Sequence, residues 1–148
     1  PRPFAQVDVF TAVPCLGNGL AVVLDGTGLD TAAMQRFTDW TQLSEATFLL
    51  PPTDPRADYR VRIFCPGREL PFAGHPTLGT CHAWLAAGGR PRDSERIVQE
   101  CGAGLVAVRL TAAITGLPPV TITSGASFTS SAARSGRRPV SPWANRRS

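Results

Sequence analysis

The 148 residues, 43% of them apolar, can bury one core and are too few for two large domains. No run approaches the roughly 18–20 uninterrupted apolar residues of a membrane span, and Pro1-Arg2-Pro3-Phe4 opens no signal-peptide core, so a cytoplasmic protein without a membrane partner is expected. The net charge of +4 is unevenly placed: all eleven acidic residues lie between Asp8 and Glu100, while Arg134, Arg137, Arg138, Arg146 and Arg147 stand in a final stretch without acids.

From Phe4 to Phe10, Ala5, Val7 and Val9 alternate with Gln6 and Asp8, the pattern of a half-buried strand. Gly17-Asn18 predicts a turn. Leu20 to Leu24 is a continuous apolar run, as in a strand covered on both faces. Asp30 is placed to cap a helix over 31–41, with Met34, Phe37 and either Trp40 or Thr41 on its inner face. Ala46 to Leu50 is a second buried run, ended by Pro51-Pro52, and Tyr59, Val61 and Ile63 alternate with Arg60 and Arg62 in a strand with one wet face. A second helix starts near His75, because Pro76 suits a first helical turn that leaves N–H groups unpaired. It carries Leu78, Cys81, His82 and Leu85 on one face and stops at Gly88-Gly89. Two strands near 95–100 and 104–110 flank Cys101-Gly102-Ala103-Gly104. Strands outnumber helices, which predicts an α+β half-barrel, a sheet wrapped around a central helix, over residues 1–110.

Residues 111–148 lose this periodicity. Ser, Thr, Pro and Gly dominate, Thr121 to Thr123 can add a short strand, and the rest reads as a degenerate or disordered basic tail. Such a tail can attract nucleic acid by charge alone, but a shifted reading frame in a GC-rich gene emits the same residues, and nucleic acid is not the expected partner. Cys15, Cys65, Cys81 and Cys101 form no Cys-x-x-Cys pair, so no metal site is expected and buried reduced thiols are.

Six segments carry a resemblance, in order and without large gaps. They are Gln6-Val7-Asp8-Val9-Phe10-Thr11, Gly17-Asn18, Leu20-Ala21-Val22-Val23, Leu43-Ser44-Glu45-Ala46-Thr47-Phe48, Tyr59-Arg60-Val61-Arg62-Ile63-Phe64 and Glu69 to Gly79 with its core Gly74-His75-Pro76-Thr77. Together they resemble the phenazine-biosynthesis-like isomerases, which share the diaminopimelate-epimerase fold. The resemblance implies two similar half-barrels with the active site in the cleft between them. It also implies cofactor-independent transfer of a proton between carbons of a small, anionic, carboxylated substrate, by enzymes that are commonly homodimers.

Proton transfer between carbons needs one group that removes a proton and returns it elsewhere. A carboxylate does this near neutral pH where burial favours its protonated form. The resemblance gives this role to Glu45, which lies between Leu43 and the apolar run from Ala46; from its surroundings alone it reads as a surface glutamate at a strand start. Gly74-His75 would bind a substrate anion at the start of the second helix, where free N–H groups and the helix dipole attract negative charge. Taken alone, His75 reads better as a capping or packing residue. Asn18 and Ser44 join the substrate-binding set on resemblance, while His82, two turns further along, reads as structural.

Gly19 and Cys65 depart from the family's usual proline and threonine, both tolerably. Ala73 stands where thiol-dependent epimerases carry a catalytic cysteine, which argues against that chemistry. A second half resembling Glu-Asp-Pro-x-Thr-Gly-Ser-Ala finds no match in 111–148. The expectation is therefore a half-fold in which Glu45 faces solvent and catalysis by this chain alone is weak, with a binding or dimerising remnant as the alternative.

Overall fold

The computed structural model describes residues 1–110 together with the backbone of 120–122 and 129–130. The tail expected over 111–148 lies outside the described residues apart from those two segments. The chain orders as β1 (Phe4–Val9), β2 (Asn18–Val23), α1 (Thr31–Thr41), β3 (Glu45–Leu50), β4 (Tyr59–Cys65) and β5 (Arg68–Leu70). It continues with α2 (Gly74–Ala86), β6 (Arg96–Cys101), β7 (Gly104–Leu110), β8 (Val120–Ile122) and β9 (Thr129–Ser130).

Among the described residues the strands form one mixed sheet in the order β1-β2-β3-β4-β6-β7-β8-β9, with β5 paired to β4. Two parallel contacts, β2 to β3 and β4 to β6, need crossovers, which α1 and the segment holding β5 and α2 supply. The sheet curves around α2, which packs against β1, β2, β3 and β8, so the expected half-barrel around a central helix is what forms. β8 pairs antiparallel with β7 and carries the sheet past residue 110.

Two cores explain the two kinds of strand. Val7, Val9, Leu20, Val22, Leu24, Val61, Ile63 and Ile97 pack with Leu78, Cys81 and Trp84 of α2. On the opposite face Ala21, Val23, Ala46, Phe48 and Phe64 pack with Met34 of α1. From Leu20 onward β2 therefore needs apolar residues at every position, since alternate side chains enter different cores. The Arg face of β4 is less wet than its alternation suggests, because α1 lies over it and Phe64 is fully buried there.

α1 begins as expected: the Asp30 carboxylate accepts a hydrogen bond from the Ala33 N–H at 2.6 Å, and Gln42 ends the helix with φ 56. Its inner face is Met34 and Thr38, with Phe37 and Thr41 half-buried at its margins. Trp40 is 79% exposed, which resolves the choice between Trp40 and Thr41 in favour of Thr41. The physical reason is the 100° step per residue, which swings Trp40 well off the Met34 stripe.

α2 corrects a second expectation. It starts at Gly74, one residue early, and it has no single apolar face: Pro76 through Trp84 are all buried. A helix enclosed by a sheet must be small and apolar all round. Gly79 shows how tight the fit is, since a Cβ there would stand 2.6 Å from Leu20 Cδ2 and 2.9 Å from Val9 Cγ2. The threonines this helix buries are partnered. The Thr80 hydroxyl donates to Thr47 Oγ1 at 2.7 Å, Gln99 Nε2 donates to Thr77 Oγ1 at 3.1 Å, and the Tyr59 hydroxyl donates to Gln99 Oε1 at 3.1 Å.

Candidate functional site

Strand pairing assembles the site. β2 and β3 are parallel with Leu20 opposite Glu45, so Asn18 at the start of β2 and Ser44-Glu45 at the start of β3 lie at the same end of the sheet. The start of α2 reaches that end with Gly74 and His75. Residues far apart in sequence thus meet: Ser44 Oγ donates to Asn18 Oδ1 at 2.9 Å, and Asn18 Nδ2 lies 3.5 Å from His75 Nδ1. On its other side, His75 Nε2 stands 3.3 Å from Glu45 Oε2.

Four of the five expected site residues therefore form one continuous chain, and the fifth, Gly74, opens the helix that delivers His75 to it. Glu45 does not face open solvent in this chain: its side chain is 18% exposed and that of His75 is 9% exposed. Glu45 Oε2 and His75 Nε2 are both buried, and neither has an aligned hydrogen-bond partner among the described residues. Burial holds the His75 imidazole below its ordinary pKa, an effect only partly opposed by the charge of Glu45.

The start of α2 suits an anion. Ala73 takes the cap position with extended backbone and no side-chain hydrogen bond, and the first turn holds no acidic residue. The helix therefore presents its positive end at the His75–Glu45 pair without a competing carboxylate in its own first turn. Among the described residues no group of three His, Cys, Asp or Glu side chains converges as metal ligands do.

His82 lies apart from this cluster, 8% exposed in the core, and burial alone lowers its pKa. Its structural reading stands. Phe10 is a neighbour that strand periodicity does not reveal. Its ring centroid is 6.3 Å from that of His75, and it adopts φ 68, uncommon for an aromatic residue. Its position at the end of the Val7-Asp8-Val9-Phe10 motif was the available signal. Gly17 is required here: a Cβ would sit 2.2 Å from the Val9 carbonyl oxygen, so only glycine lets the chain turn in to place Asn18.

The sequence and the fold are similar to those of known proteins. Residues 7–133 match the family described as Phenazine biosynthesis-like protein, a match that runs past residue 110. "Antisense-enhancing sequence 1" of Schizosaccharomyces pombe is 48% identical over 103 residues, covering 70% of this chain and 35% of that protein. The trans-2,3-dihydro-3-hydroxyanthranilate isomerase of Pseudomonas fluorescens is 43% identical over 107 residues, covering 72% of this chain and 37% of the enzyme. Among solved structures, the Bacillus anthracis phenazine biosynthesis protein of the PhzF family superposes with a TM-score of 0.72 at 30% identity, over 82% of this chain and 40% of that one. The chain thus spans little more than a third of the length of these curated relatives. With the half-barrel, the central helix and the matched residues in agreement, the chain belongs to the phenazine biosynthesis-like family.

Proposed function

We propose that these residues form the acid/base half of an isomerase that moves a proton between carbons of a small carboxylated substrate. Glu45 is the group that takes and returns the proton, and Gly74-His75 at the start of α2 bind the substrate anion. The observation that carries this is the 3.3 Å approach of Glu45 to His75 at an uncapped helix start. A carboxylate held beside a neutral imidazole, in a nearly dry setting, is an acid/base group with a fixed orientation. Such a reaction needs a proton carrier and no cofactor. The named activity of the Pseudomonas fluorescens relative supports the substrate class.

The remaining wall of the cleft belongs, in this proposal, to the length of the relatives that the 148 residues do not cover, so this chain alone turns over weakly or not at all. A second reading, a binding or dimerising module, is favoured by Val13 and Leu16, exposed at 54% and 74% in the loop leading to Asn18. Both readings fit a homodimer. A cytoplasmic setting is proposed from the four free cysteines, and no helix among the described residues is long and apolar enough to cross a membrane.

The test is a chimera in which residues 4–110 of this chain replace the matched stretch of the Pseudomonas fluorescens isomerase. Isomerisation by the chimera, lost in Glu45→Gln, supports the proposal. A folded chimera whose activity is untouched by Glu45→Gln refutes the role of Glu45.

A further inference from the structure

We propose that Asn18, itself oriented by Ser44, is a positioning residue that fixes the tautomer of His75, keeping the imidazole proton on Nε2 beside Glu45. The inference deepens the isomerase proposal and rests on it for its purpose, though not for its test. The Ser44 hydroxyl donates to Asn18 Oδ1 at 2.9 Å, which commits the amide oxygen and leaves the amide nitrogen toward His75 at 3.5 Å. An amide NH2 group can only donate, so His75 Nδ1 must accept and cannot carry a proton. In the neutral ring the proton then sits on Nε2, the atom 3.3 Å from Glu45 Oε2.

The alternative tautomer is costly at both ends. With the proton on Nδ1, two donors would face each other across the Asn18 contact. A lone pair on Nε2 would also lie close to the lone pairs of Glu45 Oε2 at 3.3 Å, both atoms being buried without a hydrogen-bond partner among the described residues. The consequence is a division of labour: His75 presents an N–H rather than a second base on the side of the carboxylate, and Glu45 is the group left to accept a substrate proton. Asn18 and Ser44 thereby act through His75 rather than on the substrate. Relays of this kind set which nitrogen of a histidine is protonated in many sites.

The chain contains two histidines, so nitrogen-15 correlation spectra of the 148-residue protein can read each ring directly, with buried His82 as the internal reference. For the native chain above the His75 titration, an unprotonated Nδ1 and a protonated Nε2 are expected, and a proton on Nδ1 overturns the inference. In Asn18→Asp, a carboxylate faces Nδ1 and should draw the proton to it and raise the His75 midpoint by about one unit or more. Ser44→Ala, which frees the amide to rotate, should give a mixture of tautomers while His82 is unmoved. Variants with native-like spectra and an unchanged His75 tautomer and midpoint would show that Asn18 does not control the ring. If a variant does not fold, the native spectrum still decides the tautomer and the other variant decides its control. Because no turnover is read, the isomerase proposal can fail while this result stands, and the reverse.

Discussion

Replacing Gly79 with alanine sets two physical effects against each other and should destabilise the protein. Within a helix, alanine is favoured over glycine by about 1 kcal/mol, so a helix judged by propensity alone would gain. At residue 79 the new Cβ would lie 2.6 Å from Leu20 Cδ2 and 2.9 Å from Val9 Cγ2. Neither neighbour can move aside cheaply, since Leu20 is fully buried and Val9 is 1% exposed. Overpacking of this kind costs about 1–3 kcal/mol, and more where the contact is this short, so a net loss of about 1–2 kcal/mol is expected. For a chain of this size that lowers Tm by about 3–4 °C per kcal/mol. Thermal unfolding followed by circular dichroism checks it, with Ala86→Gly at the exposed end of α2 as a comparison for propensity without a clash. A Gly79→Ala protein with an unchanged or higher Tm would refute the claim that α2 is seated directly against β1 and β2.

Further outcomes follow from burial. His75 and His82 are both held below their ordinary pKa of 6.5 by desolvation, so the unfolded chain binds protons that the folded one does not. Stability should therefore be full above about pH 6.5 and fall as pH drops below it, and Tm measured from pH 8 to pH 5 should decline less steeply in His82→Asn. Burial also pushes the Cys81 thiol well up, whereas Cys15 is exposed. Alkylation of the native protein read by mass spectrometry should label Cys15 first and Cys81 only on unfolding, and early labelling of Cys81 would contradict the buried helix.

The strands and the first helix were legible because their signals are local. Asp30 announces the start of α1, and β2 and β3 announce themselves by runs that only two-sided burial explains. What periodicity missed depends on neighbours far along the chain. Trp40 stands three residues after Phe37, a helical spacing, yet points to water, because Met34 and Thr38 define the inner stripe. α2 reads as one-faced from Leu78, Cys81, His82 and Leu85, but the sheet closes around it and buries its threonines and Ala83 as well. β5 is only three residues long and leaves no pattern. The site residues were named by motif, while their linkage was not: Asn18 and His75 are 57 positions apart, and only the parallel register of β2 with β3 and the seat of α2 bring them together.

The most direct test of the acid/base role is solvent exchange in heavy water. In the chimera with the Pseudomonas fluorescens isomerase, trans-2,3-dihydro-3-hydroxyanthranilate should acquire deuterium at the carbon that is reprotonated. Glu45→Gln should slow that incorporation by about 10²–10⁴-fold, with folding and the His75 tautomer preserved. Exchange that persists at the native rate without the Glu45 carboxylate would contradict the account at its centre.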